Sequence, residues 1–161
     1  MSRRSKREGS SKQPKPKPDW RVHPVPTKKG HRYKFVDKHH YPPKGDHACW
    51  LQSITRDEEF ALFSEAERLN LSDEDANLYN IRKVGENYLE IGTRHELIAI
   101  FWNPHSASEW HGHPIWPIKT KHSLNRKNQD YRPSKSVMNR MIQESLLSER
   151  DSDRILNGDY P

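Results

Sequence analysis

Apolar side chains are sparse at the start of the chain and cluster after residue 48. Arg32-Tyr33-Lys34-Phe35-Val36 alternates polar and apolar positions, the period of a half-buried strand. His39-His40-Tyr41-Pro42-Pro43-Lys44-Gly45 reads as a loop, because paired prolines exclude a helix or an interior strand. Thr55-Arg56-Asp57-Glu58 is a capping box, a hydroxyl followed three residues later by a carboxylate. It opens a helix with Phe60, Leu62, Phe63, Ala66 and Leu69 at helical spacing, and Asn70 ends it. Ser72-Asp73-Glu74-Asp75 predicts a second, short helix whose acidic first turn suits the positive end of a helix dipole. That reading explains the acid cluster without calcium, and the EF-hand spacing is absent.

Three strands follow: Tyr79 to Val84, Tyr88 to Ile91, and Leu97 to Trp102, with turns at Gly85-Glu86-Asn87 and Gly92-Thr93-Arg94. The third is apolar on both faces, which predicts a central strand covered on both sides. Asn103-Pro104 ends it, and residues 103 to 132 read as one long irregular loop. Pro133-Ser134 starts a helix over 134 to 145 with Val137, Met138, Met141 and Ile142 on one face. Ser148-Glu149-Arg150-Asp151 is a second capping box, leading a helix over 149 to 157 that Asn157-Gly158 closes. The fold class expected is therefore α+β: a small sheet of three to four mainly antiparallel strands, packed by helices, with a C-terminal helix pair.

Composition adds a segment outside that core. Hydrophobic residues are 31% of the 161, and charged residues another 31%, so part of the chain has too little apolar surface to pack. Residues 1 to 19 consist largely of Ser, Lys, Arg and alternating Pro, which predicts a disordered basic arm. The division expected is this arm, an extended Pro/His-rich segment over 20 to 48, an α+β core over 49 to 132, and the helix pair over 133 to 161. No apolar run approaches the roughly 20 residues of a membrane helix. The start has no apolar stretch behind its charges, so no secretion signal is read. A single cysteine, Cys49, fits a reducing compartment, and a cytoplasmic location is expected.

Charge is unevenly placed. The net +6 arises because residues 1 to 44 hold 14 Lys or Arg against 3 Asp or Glu, while the rest is mildly acidic. One basic stretch interrupts the acidic part: Lys119, Lys121, Arg126, Lys127, Arg132 and Lys135, against Asp130 alone. A basic arm with a basic loop is the footprint of a polyanion partner, with a solubilising tail and a solvated loop as the plainer reading.

No motif names a chemistry. There is no phosphate-binding glycine loop, dinucleotide fingerprint, nucleophile elbow, zinc-protease helix or paired-cysteine motif. Asp37 to His40 resembles the opening of His-Asn-His nucleases over four residues, but no later Asn and His complete a metal site. The densest candidate stretch runs from Trp102 to Trp116, with His105, Glu109, Trp110, His111 and His113 between. Imidazoles exchange protons near neutral pH, so His111 and His113 are acid/base candidates, with Glu109 beside them. Arg94, Lys119 or Lys121 could then steady a charged phosphorane. Trp110 and Trp116 could stack on bases, with Lys119, Lys121, Arg126 and Lys127 on phosphates. His47-x-Cys49 with His111-x-His113 has the number and type of ligands for zinc. Tryptophans that merely anchor a loop, and His-Gly-His-Pro as a plain turn, explain the same residues without a site.

The function expected is nucleic-acid association, RNA before duplex DNA, extending to a metal-independent ribonuclease that needs no cofactor. A zinc-binding hydrolase and a protein adaptor docking through the C-terminal helices are the alternatives. Read as a helix-turn-helix, that pair would present Arg150 and Arg154, but its second helix is short for reading a major groove.

Overall fold

A computed structural model describes residues 25–27, 29–43, 47–105, 109–116 and 132–159. The basic arm over 1 to 19 lies outside the described residues, as do Lys119, Lys121, Arg126 and Lys127. The described part is mixed α+β, with three α-helices and a mainly antiparallel sheet. Among the described residues no helix is long and apolar enough to cross a membrane.

The strands are β1 (Val25–Pro26), β2 (Arg32–Tyr33), β3 (Leu78–Ile81), β4 (Lys83–Val84), β5 (Asn87–Tyr88), β6 (Ile98–Trp102) and β7 (Glu109–Ile115). The main sheet has the order β1-β2-β7-β6-β3, and only the β2–β7 pair is parallel. Its interior strand β6, between β7 and β3, is buried from Ile98 to Phe101, as a run apolar on both faces requires. The expected strand over 88 to 91 does not join it. Tyr88 pairs back to Lys83 in a separate two-stranded hairpin, β4–β5.

Helix α1 (Arg56–Leu69) has both halves of the Thr55/Glu58 capping box, and Asn70 closes it at φ 55°. Its apolar stripe covers one face of the sheet: the Phe63 ring lies 4.7 Å from Tyr33, 5.5 Å from Phe101 and 5.6 Å from Trp110. Full burial of one such side chain is worth about 1.5–3 kcal/mol. Asn80, buried on the same face, donates to the Leu62 carbonyl at 2.8 Å. Near the other end of α1, Glu67 binds the β1–β2 hairpin. Its carboxylate accepts from Thr27 Oγ1 at 2.8 Å and pairs with His31, while its carbonyl accepts from Lys29 at 3.0 Å.

The second short helix expected at 72 to 75 is a turn instead. Asp73 Oδ1 accepts from the N–H groups of Asp75 and Asn77, a side-chain bond that competes with helical pairing. The C-terminal helices α2 (Lys135–Gln143) and α3 (Glu149–Leu156) are capped by Ser134 and Ser148. Val137, Met138, Met141 and Ile155 join the common core. Arg140 reaches the Leu69 carbonyl at 3.0 Å, and Tyr88 donates to Asp151 at 2.7 Å, so the pair is tied to α1 and to the small hairpin.

The largest departure from the sequence reading is β7. Residues 109 to 115 were expected in a loop and form the longest strand among the described residues. Gly112 is required there: a Cβ would stand 2.2 Å from the Phe101 ring on the facing strand. Pro114 is tolerated because β2 pairs only with Glu109 and Trp110, so the outer edge further along needs no donor.

Candidate functional site: an imidazole face at the edge of β7

Alternation along β7 sorts its residues. Trp110, Gly112 and Pro114 are buried, while Glu109, His111 and His113 are partly open. His111 sits opposite Trp102 and His113 opposite Ile100. A 3-10 turn over Asp37–His39 approaches this strand and adds a third imidazole. The ring of His39 lies 4.7 Å from His113 and 6.4 Å from His111, nearly parallel to both, and 6.0 Å from the ring of His47, perpendicular to it. Four histidines from three segments thus meet at one place.

Their hydrogen bonds give them different parts. His113 Nδ1 is 3.0 Å from the Pro114 carbonyl, and Trp102 Nε1 donates to its Nε2 at 2.9 Å. One nitrogen must donate and the other accept, which only a neutral imidazole does. Burial drives its pKa down to about 4 against the pull of that carbonyl, with His111, Lys38 and His47 adding to the fall. His39 donates from Nδ1 to the Ala48 carbonyl at 2.7 Å. Burial and then His113 bring it to about 3. His111 is only half-buried; burial first and Lys38 second lower its pKa. The Lys38 ammonium acts on all three rings.

The expected site residues are distributed unevenly. Glu109 lies two positions from His111 on the same face, with Lys34 Nζ 3.6 Å from its carboxylate. Arg94 is not with them. Its carbonyl accepts from Trp116 Nε1 at 3.1 Å, at the far end of β7. Trp110 is 7% exposed and packs on Phe63, and Trp116 is 8% exposed. Both anchor the strand and present no open face for a base.

For the zinc reading, His47 joins the imidazoles but Cys49 does not. The thiol is fully buried and contacts the Trp50 carbonyl at 3.5 Å; burial and then Glu96 raise its pKa. Among the described residues no group of three or more His, Cys, Asp or Glu side chains is arranged to hold a metal ion.

Sequence reasoning gave no site role to Lys38 and did not assemble His39 into the cluster. The alternation of Trp110, His111, Gly112 and His113 was a usable sign of a strand with both histidines on one face. Nothing local signals the approach of residue 39 to residue 113. No family model, curated protein or solved structure matches the chain.

Proposed function

We propose that the protein associates with nucleic acid, RNA before duplex DNA, and that the imidazole face at the edge of β7 meets the phosphate backbone. The observation that carries this reading is Lys38, whose charge bears on His39, His111 and His113 together. A cation beside neutral imidazoles, of which His111 and His113 are partly open, offers an anion both charge and hydrogen bonds. The basic residues Lys119, Lys121, Arg126 and Lys127 follow the same strand in sequence and add positive charge to the chain after it.

In the cutting form of this proposal no metal is needed. His111, neutral at pH 7, takes the proton of a ribose 2′-hydroxyl. The 2′-oxygen bonds to phosphorus, the bond to the 5′-oxygen breaks, and an imidazolium returns a proton to that leaving oxygen. His47, exposed beside His39, is the candidate donor. Lys38 takes the charge-stabilising part first assigned to Arg94. The products are a 2′,3′-cyclic phosphate and a 5′-hydroxyl.

The test is incubation with a labelled single-stranded RNA and the matching DNA, with anisotropy measured over a salt series. Cyclic-phosphate ends that disappear in His111→Gln support cutting. Intact RNA with salt-sensitive binding that Lys38→Gln weakens leaves association alone. Deleting residues 1 to 19 should lower affinity about equally for all sequences and flatten the salt dependence. Absence of binding at low salt overturns the proposal.

A second reading, a protein adaptor, draws on the groove of about 580 Å³ between α2 and α3, floored by Met138, Ile142 and Leu156. A partner held there by apolar contact would stay bound in high salt.

A further inference from the structure

One buried chain of polar groups crosses from the strand that carries His111 and His113 to the turn that carries Lys38 and His39. The Gly112 N–H faces the Tyr33 hydroxyl and opposes the rise in its pKa that burial and Glu59 cause. Tyr33 Oη donates to Glu59 Oε1 at 2.5 Å. Glu59 Oε2 then faces His40 Nε2 at 3.2 Å. Both of these last atoms are buried, and neither has an aligned hydrogen-bond partner. Two bare lone pairs held that close without water would repel, so a proton belongs between them.

We propose that Glu59 and His40 hold one shared proton, and that this proton latches the Asp37–His39 turn onto α1 and so positions Lys38 and His39 against β7. Glu59 and His40 are positioning residues in this account; neither touches whatever the imidazole face binds. The inference stands whether or not that face binds RNA.

The surroundings fit a latch. Arg56, on the first turn of α1, lies 3.5 Å from Asp37 and stacks 5.2 Å over the Phe35 ring, gripping the same segment from outside. The titratable and charged groups around the contact are Tyr33 from β2, Arg56 and Glu59 from α1, and Asp37 and His40 from the turn. Burial raises Glu59 to about 8, with the Tyr33 hydrogen bond and Arg56 pulling the other way. Burial and Arg56 lower His40 to about 4, opposed by Asp37. Between those limits the pair is neutral with one proton between its partners. Above about pH 8 the proton leaves and a buried carboxylate remains. Below about pH 4 a second proton puts a positive charge in the same place.

The experiment is NMR on the full chain, reading the Glu59 carboxyl carbon and the His40 ring nitrogens from pH 5 to 9, with amide exchange at residues 37 to 40 followed over the same range. The expected result is one coupled titration near pH 8, seen at both residues. Exchange protection of the turn should fall with it, by up to about tenfold per pH unit. Glu59→Gln should keep the Tyr33 and His40 contacts without a titrating proton, so protection should persist to pH 9. His40→Leu should lose protection at all pH values while α1 stays protected. A Glu59 carboxyl that titrates in the ordinary carboxylate range overturns the proposal in the wild-type protein alone. So does an alkaline loss of protection that survives in Glu59→Gln.

Discussion

His111 and His113 differ by two positions and have opposite roles. His113 is pinned between Trp102 and the Pro114 carbonyl, so replacing it with Gln should cost about 1–3 kcal/mol of stability through the unmet indole donor. His111 is half-buried, with its ring near Lys38, and His111→Gln should leave the melting temperature within about 2 °C while weakening RNA binding or cutting. Equal losses of stability in the two variants would make His111 a packing residue. Gly112 between them is a backbone requirement. Gly112→Ala sets a methyl against the Phe101 ring and should destabilise by about 3 kcal/mol, measurable by urea unfolding.

Among the elements, α1 and β6 follow from local rules and β7 does not. A capping box, a helical stripe and an αL asparagine define α1 without help from the rest of the chain. A doubly apolar run defines β6. Ile100→Asp would bury an unpaired charge in that strand and should cost on the order of 3 kcal/mol or more. A near-normal melting temperature for that variant would contradict the buried, interior position of β6. In β7, Gly and Pro carry the local signature of a turn. They are accepted because Phe101 leaves no room for a Cβ on one side, while the outer edge makes no ladder bond to β2 beyond Trp110. The β4–β5 hairpin shows the converse. Gly85 and Glu86 turn where the sequence puts them, while Asn87 belongs to β5 and pairs with Val84, and strand pairing stops short of the main sheet.

For the whole molecule, the buried titratable groups set a stability optimum. His39, His40 and His113 have folded pKa values of about 3, 4 and 4. Depressed histidines contribute stability that is present above the unfolded value of about 6.5 and is lost as pH falls through the folded ones. Glu59 is raised to about 8, so its contribution is present below the unfolded carboxyl value and is lost as pH rises through 8. The three histidines outweigh Glu59 and the likewise raised Glu96 on the acid side, and above about 6.5 Glu59 lowers stability, joined at higher pH by the Cys49 thiol that burial also raises. Urea midpoints should therefore peak near pH 6.5 to 7 and fall on both sides. Glu59→Gln should shrink the alkaline fall and leave the acid one. A profile flat from pH 5 to 9 would show that these groups are solvated.

The α+β class, the capped helix α1, the buried strand β6 and the C-terminal helix pair were legible in the sequence, because each rests on periodicity and capping within a dozen residues. Thr55 with Glu58 and the run from Ile98 to Phe101 need no distant partner to be recognised. The tertiary structure alone decided that Glu109 to Ile115 is a strand, since its conformation depends on Phe101 and on the short reach of β2. It also decided the composition of the site. His39 meets His113, and His40 meets Glu59, only because a turn fixed by α1 folds back on β7. Contacts across such separations depend on packing of whole elements, which local propensity does not encode.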